Sequence, residues 1–352
     1  MDKIKVGVIG ATGYAGAELV RLLCNHPYTE IAAISSKSFE GKKLSEVYPN
    51  FLNVCDLVLT NEDDLLAKSQ VVFASLPHGL SEEIAVKCLE KGVKLIDIGA
   101  DFRLKDAQDY KEWYGLSYKY PQLHEQSVYI IPELMRDSYK GQPIIGNPGC
   151  YPTSIALALA PIVKNHMFEE NGIIIDSKSG ATGAGRNLTQ TTHFCDCNEG
   201  FAPYKIASHR HTPEIEQTLS SLSGKSVKVS FTPHLLPLNR GIISTCYVNL
   251  KDSYENDKNY TYDAIYDLYK DFYKKEKFVR ILPKGSAANL KNVKYSNYCD
   301  VSLHFDERTN RFIIVSAIDN MVKGAAGQAI QNMNVMFNLE EDTGLNLVAP
   351  AF

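Results

Sequence analysis

The run Ile4-Lys5-Val6-Gly7-Val8-Ile9 passes directly into Gly10-Ala11-Thr12-Gly13-Tyr14-Ala15-Gly16, and Ala17 to Leu23 then carries apolar residues at helical spacing. A β-branched run, a glycine turn and a helix in that order leave few folds open. Gly10, Gly13 and Gly16 allow a tight turn and close approach of backbone to a pyrophosphate, while the helix N-terminus turns its amide donors toward that charge. The chain is therefore predicted to open with a dinucleotide-binding βαβ unit in which Gly10, Thr12, Gly13, Tyr14, Ala15 and Gly16 line the phosphate turn. The next strand, Ile31 to Ser35, ends in Ser35-Ser36-Lys37. A carboxylate there would hold the ribose 2′-hydroxyl of NAD. Hydroxyls and a lysine suit a 2′-phosphate instead, so NADP(H) is the expected cofactor, against the alternative that Lys37 is a solvated loop charge.

Val71 to Leu76 reads as a buried strand, Glu82 to Lys91 as a helix and Lys94 to Ile98 as a strand, giving the order βαβαβ. Loops leaving the C-terminal ends of such strands line the ligand crevice, which places Ser75, Pro77 and the stretch Gly99-Ala100-Asp101-Phe102-Arg103 near cofactor or substrate. Arg103 has the donors to clamp a phosphate or carboxylate; the alternative is a surface arginine paired with Asp101 or Asp106. The aromatic tract from Tyr110 to Tyr120 has few basic residues among its rings and reads as a packed covering loop, not a nucleic-acid platform. The 352 residues suggest two domains. A net charge of -4 gives no global attraction to nucleic acid. No apolar stretch is long enough for a membrane span, the N-terminus has no secretory pattern, and eight scattered cysteines suit a reducing compartment, so a soluble, cytoplasmic protein is expected.

Asn147-Pro148-Gly149-Cys150-Tyr151-Pro152-Thr153 lies between a short apolar strand at Ile144 and Ile145 and an Ala/Leu-rich run from Ile155 to Val163 that reads as a buried helix. Two prolines and a glycine restrict this turn, and Thr153 or Ser154 can cap the helix. A cysteine at a helix start is more readily ionised to the thiolate that attacks carbon, which singles out Cys150 from the other seven. Further on, His209-Arg210-His211-Thr212-Pro213-Glu214-Ile215 precedes a helix that Thr212 can cap with Pro213 at its first position. An imidazole there can serve a thiol mechanism as acid and base near neutral pH. Neither the histidine pair nor His193-Phe194-Cys195-Asp196-Cys197 has a second ligand pair at metal-site spacing, and no metal is expected.

In the second half, Gly172 to Lys178 is a predicted strand that runs into the glycine-rich Ser179 to Arg186. Val227 to Leu236, Ile242 to Leu250, Tyr298 to Phe305 and Phe312 to Ile318 read as strands and Tyr262 to Glu276 as a helix, together an α+β domain with an antiparallel-type sheet. A last helix, Gly324 to Phe337, is rich in Ala, Gln and Asn.

With the glycine turn, Asn147 to Thr153, Ser179 to Arg186, His209 to Ile215 and Asp319-Asn320-Met321-Val322-Lys323-Gly324 in view, the chain resembles the N-acetyl-γ-glutamyl-phosphate reductases, the arginine-pathway branch of the aspartate-semialdehyde dehydrogenase superfamily. The resemblance runs through nearly the whole chain. It implies an α/β fold: an NADP-binding Rossmann domain over 1–148, an α+β catalytic and dimerisation domain over 149–323, and a C-terminal helix and tail, 324–352, returning to the first domain. It implies an acyl-phosphate or semialdehyde substrate, phosphate as a product, Cys150 as nucleophile through a thioester, His209 or His211 as acid/base, and Ser179, Gly180 and Asn320 near the nicotinamide. Arg103, Asn147, Arg210 and Glu214 are the expected substrate ligands, and the assembly is expected to be a homodimer or homotetramer. The same parts would serve an aminoadipyl-phosphate reductase or aspartate-semialdehyde dehydrogenase. A non-enzymatic NADP sensor would need the glycine turn but no nucleophile.

Overall fold

Ile4–Ile9 (β1) lies in the interior of a parallel sheet, which is why the adjacent Val8 and Ile9, pointing to opposite faces, are both apolar and buried. The computed structural model describes residues 2–251 and 261–352. These fall into two units, one of the chain up to Pro148 with Ala325–Asn346, the other of Gly149–Gly324 with Leu347–Phe352. The first unit adds Thr29–Ser35 (β2), Leu59–Thr60 (β3), Val71–Ala74 (β4), Lys94–Asp97 (β5), Ser127–Tyr129 (β6) and Ile144–Gly146 (β7). Their order among the described residues is β3-β2-β1-β4-β5-β7-β6, paired parallel throughout. The chain leaves β1 toward β2 and β3 and resumes at β4 on the other side of β1. Strand order therefore reverses between β1 and β4, and the ligand crevice of such a sheet lies beyond their C-terminal ends.

The helix Gly327–Met336 belongs to this first unit and explains its own composition. Asn332 donates to Asn147 Oδ1 at 3.0 Å, Gln331 to Glu133 at 2.9 Å, and Asn334 Oδ1 lies 3.1 Å from His26 Nε2. Buried amides need such partners, so a helix rich in Asn and Gln can still be a core helix. It begins later than Gly324, because Val322–Ala326 forms a π-helical turn first. The terminal Leu347–Phe352 groups with the second unit, not with the first as the tail was expected to do. The aromatic tract is not a loop throughout. Ala107–Tyr114 is a helix, and Tyr110 packs against the rings of Tyr114 and Tyr118 at 5.1 and 4.8 Å.

The second unit is built on Phe168–Gly180 (β8), Ala202–Pro203 (β9), Ser230–Leu236 (β10), Ile242–Leu250 (β11), Val279–Ile281 (β12), Cys299–Asp306 (β13) and Arg311–Ile318 (β14). The order is β12-β13-β14-β11-β8-β10-β9. The sheet is mixed, a departure from the antiparallel expectation: β8 and β10 run parallel, as do β12 and β13. Alternation in a strand does not encode its neighbour's direction, so the sequence could not show this.

The helix Cys150–Lys164 lies on this sheet with Tyr151 through Val163 buried. Ser154 ties it to β11 and β14, its hydroxyl 3.0 Å from that of Ser244 and 2.7 Å from that of Ser316, and Ser177 on β8 donates to Ser244 at 2.8 Å. Pro161 has no N–H for the carbonyl four residues earlier. That carbonyl, of Leu157, accepts the Tyr273 hydroxyl at 2.6 Å, and the adjacent Ala158 carbonyl accepts Tyr269 at 2.6 Å.

Candidate active site

At the head of the first helix, Gly10 has φ +77° and its N–H and that of Ala11 donate to Ser35 O at 3.1 and 3.0 Å. A Cβ on Gly10 would stand 2.3 Å from Ser75 O, and one on Gly16 would stand 2.1 Å from Gly10 O. Only glycine allows this turn. Gly13 is the N-cap of Tyr14–Leu23, no side chain caps that helix, and a Cβ on Gly13 would meet nothing closer than 3.4 Å. Open amides above a turn that side chains cannot fill are what a dinucleotide phosphate requires. Tyr14 and Pro77 are exposed beside it, and Ala15 and Ser75 are half-buried.

Two of the expected 2′-phosphate ligands lie inside the fold. Ser35 and Ser36 are buried, and the Ser36 hydroxyl lies 2.6 Å from that of Thr12. Lys37 is exposed. Tyr48, which no spacing pointed to, donates to Thr12 O at 2.9 Å and so supports the same turn.

Three of the four expected substrate ligands hold the fold. Arg103 is buried and donates through Nε to Asn147 O at 2.9 Å and through Nη2 to Ile98 O at 2.8 Å. Asn147 is fully buried, donating to Ala325 O at 3.2 Å and accepting from Asn332. Glu214 is fully buried and accepts the Gly149 N–H at 2.7 Å. Asp97 and Asp101, buried at the end of β5, brace the adjoining loops: Asp101 accepts from Gly79 N, Ser81 N and the Tyr110 hydroxyl, and Asp97 from Ser81 and Gly99 N. Burial, then the Asp101 charge, lifts Asp97 to about 6.

Cys150 is the first residue of its helix and half-buried. The cap is Gly149 and not Thr153, whose hydroxyl donates back to Gly149 O at 2.9 Å from inside the first turn. Gly149 is therefore held on its N–H by Glu214 and on its carbonyl by Thr153. The helix bearing Glu214, Thr212–Ser223, has His211 as its N-cap, one residue before the expected Thr212. The Cys150 motif and the histidine motif thus meet, here by a hydrogen bond between residues 65 apart. Glu214→Ala removes the acceptor of a buried N–H, a loss of about 1–3 kcal/mol in stability, and frees the turn before Cys150. A lowered Tm with a kcat drop of about tenfold or more is expected, while Glu214→Gln, which keeps an acceptor oxygen, stays nearer the parent. Thermal unfolding and steady-state rates of the two variants check the order.

His209 is buried in a ring cluster with Tyr151, Tyr204 and Phe231, at 5.5, 5.5 and 5.4 Å between centroids. Burial first, then the Lys205 and Arg210 charges, push its pKa down to about 3. The imidazole expected to titrate near neutrality is instead neutral there. Its Nδ1 accepts the His211 N–H at 3.1 Å, which puts the single ring proton on Nε2. Tyr204, raised by burial to about 12, keeps its hydroxyl proton and lies 3.1 Å from the Tyr151 hydroxyl. Tyr204 was missed, although it precedes the histidine motif by five residues. Arg210 is half-buried, and partial burial first, then the Arg210 charge, lowers the ammonium pKa of Lys205.

The Ser179 loop is closely tied within this unit. Ser179 donates to Gly180 O, Gly180 N–H to Gly241 O, and Asn320 accepts from Gly241 N at 2.8 Å while donating to Thr182 at 3.1 Å. A Cβ on Gly180 would stand 2.7 Å from Asn239 O, so glycine is needed for this packing. Among the described residues no three His, Cys, Asp or Glu side chains are grouped to hold a metal ion. Nor, among them, is any helix long and apolar enough to cross a membrane.

Residues 5–142 match the semialdehyde dehydrogenase NAD binding domain and residues 150–320 the semialdehyde dehydrogenase dimerisation domain. An N-acetyl-gamma-glutamyl-phosphate reductase of Brachyspira hyodysenteriae is 59% identical over 99% of this chain and 100% of its own length, and one of Clostridium botulinum is 55% identical over the same shares. The chain belongs to the semialdehyde dehydrogenase family, among the N-acetyl-γ-glutamyl-phosphate reductases. Its fold is shared with more distant members of the family. Aspartate semialdehyde dehydrogenase II of Vibrio cholerae superposes with a TM-score of 0.72 at 16% identity, covering 96% of this chain and 99% of that one. Aspartate semialdehyde dehydrogenase of Candida albicans, solved with NADP, gives 0.71 at 17% over the same shares.

Proposed function

We infer that this chain reduces N-acetyl-γ-glutamyl phosphate to N-acetylglutamate 5-semialdehyde, releasing phosphate, as a step of arginine biosynthesis. The observation that carries the reading is Cys150 at the first position of a helix whose cap peptide is held by Glu214 of the histidine motif. In this reading the Cys150 thiolate attacks the acyl carbon, the carbon–oxygen bond to phosphate breaks with its electron pair going to the leaving phosphate, and a thioester forms. Bound NADPH supplies the hydride for that carbon. The neutral His209, with its proton on Nε2, donates a hydrogen bond to the oxyanion that then develops, and the adduct collapses to aldehyde as the carbon–sulfur bond returns its pair to Cys150. Arg210 and Lys205 bring two positive charges near His209 for the phosphate or carboxylate of the substrate. Ser179, Gly180 and Asn320 are proposed to border the nicotinamide.

The assay that tests this is phosphate-dependent reduction of NADP with a panel of semialdehydes. N-acetylglutamate 5-semialdehyde is expected to give the highest kcat/KM. Faster turnover of aspartate or aminoadipate semialdehyde would replace the substrate, and no turnover of any would leave a nucleotide-binding protein without this activity.

Cofactor choice rests on the end of β2, which offers Lys37 and no carboxylate. NADPH is expected to exceed NADH in kcat/KM by at least about tenfold, one ion pair's worth of discrimination. Equal values would remove the 2′-phosphate reading.

A homodimer or homotetramer is proposed through the face of the second sheet turned away from Cys150–Lys164. There Ile174, Tyr247 and Ile313 stand in one row of register across β8, β11 and β14, and Ile174 is 46% exposed. Apolar rows open to water mark association surfaces. Light scattering at micromolar concentration is expected to give a multiple of the chain mass, and a monomer would contradict the assembly.

A further inference from the structure

The turn that follows β14 touches the nucleophile directly. A Cβ placed on Gly324 would stand 2.7 Å from Cys150 Cβ and 3.2 Å from its Cα, so the backbone there packs against the cysteine with no room for a side chain. Gly324 sits in the π-helical turn Val322–Ala326, and its N–H donates to Asp319 O at 3.0 Å, the five-residue bond of that turn. π turns inside helical segments are costly and need support. Asp319 supplies it. The residue is wholly buried, its Oδ1 accepting from Met321 N at 2.8 Å and Val322 N at 3.2 Å, and its Oδ2 from Tyr295 N at 2.6 Å and Arg240 Nη1 at 3.4 Å. One carboxylate oxygen is thus held at the turn and the other by the segments beside it. Arg240 in turn lies over the Tyr295 ring at 4.8 Å, which holds the last of those donors in place.

We propose that Asp319 is a positioning residue for the reaction: its carboxylate sets the π turn so that Gly324 bears on Cys150 and fixes the sulfur for attack. The proposal rests on Cys150 as the nucleophile. Its neighbour Asn320 was expected at the cofactor, whereas Asp319 touches neither cofactor nor substrate in this account and acts through backbone alone. A carboxylate accepts four hydrogen bonds where an amide accepts on one oxygen and presents donors on the other side. Asp319→Asn keeps the volume and sets an NH₂ against N–H donors on one side of the group.

The test uses the full chain as Asp319→Asn, Gly324→Ala and the double variant. Readouts are folding by thermal unfolding, kcat and KM, and the pH profile of iodoacetamide alkylation at Cys150, with the exposed Cys195 in the same molecule as control. Expected are folded proteins, a kcat at least tenfold lower with KM for NADPH within twofold, and a Cys150 alkylation profile that moves while that of Cys195 does not. The double variant should lose little more than the worse single, because both changes act on one contact. A folded Asp319→Asn with the parent's kcat and Cys150 profile would overturn the proposal, as would fully multiplicative losses. Should Asp319→Asn fail to fold, Arg240→Gln decides, since it weakens the same carboxylate from the side less buried: a Cys150 profile moved in the same direction supports the proposal, and the parent's profile overturns it. Alkylation needs no substrate, so a shifted profile in a chain inactive toward every acyl phosphate would sink the proposed reaction and leave the positioning role standing.

Discussion

Cys150→Ser is expected to lower kcat by at least about a thousandfold, or some 4 kcal/mol of transition-state stabilisation. Serine nearly preserves the volume at the first position of the helix, and the contacts that place that position belong to Gly149, Glu214 and Thr153, which the change leaves alone. What is lost is a sulfur nucleophile, whose acyl bond is reactive enough to accept hydride. NADPH binding, measured by its fluorescence, should persist, because the glycine turn lies in the other unit. Cys195→Ser should cost little, its side chain being exposed on a segment that none of the proposed steps uses. An active Cys150→Ser enzyme would remove the nucleophile and with it the thioester.

His209→Ala is expected to lower kcat by about a hundredfold or more, the usual range for a positioned proton-handling group. His211→Ala should cost less. The His211 main-chain N–H would still donate to position 209's ring nitrogen, so the proton of His209 would stay on Nε2. Because burial and two cations keep His209 neutral to about pH 3, its protonation should produce no acidic limb in kcat/KM near pH 6 to 7. A limb there that His209→Ala abolishes would contradict the neutral assignment. The same depression bears on stability. The folded-state pKa lies below the ordinary 6.5, so His209 contributes its stability fully above that value and loses it as pH falls toward 3, where the unfolded chain gains the proton more readily. Acid unfolding of the parent over that window, reduced in His209→Ala relative to its own neutral-pH stability, is the accompanying result.

The glycine turn was legible because its constraint is local: a positive φ at Gly10 and close backbone at Gly16 follow from a strand that ends at Ile9 and a helix that begins at Tyr14, and both halves are written in consecutive residues. Cys150 was legible for the same reason, since prolines and a glycine mark its turn on either side. What brings these elements to their partners was not. Glu214 and Gly149 are joined by folding alone, and sequence order gives no sign that a carboxylate of a helical motif should accept an N–H from a distant cap. That Arg103, Asn147 and Glu214 are buried and bonded within the fold was not legible, because a charged or amide side chain reads alike along the chain whether it faces solvent or backbone. The burial of Ser35 and Ser36 was hidden in the same way. Asp319 stood beside a residue already singled out, yet its role depends on a π turn, which has no pattern in a short sequence. His209 was found by its motif, but its protonation state depends on ring packing and two nearby cations, and position along the chain carries neither.

The central claim is a covalent acyl group on Cys150. Incubating the protein with N-acetyl-γ-glutamyl phosphate without NADPH, quenching in acid and mapping peptides by mass tests it directly. The account predicts one N-acetylglutamyl adduct, on the peptide that contains Cys150, discharged when NADPH is added before the quench. An adduct on another cysteine, or a protein that turns over substrate with NADPH yet never carries the acyl group, would contradict it.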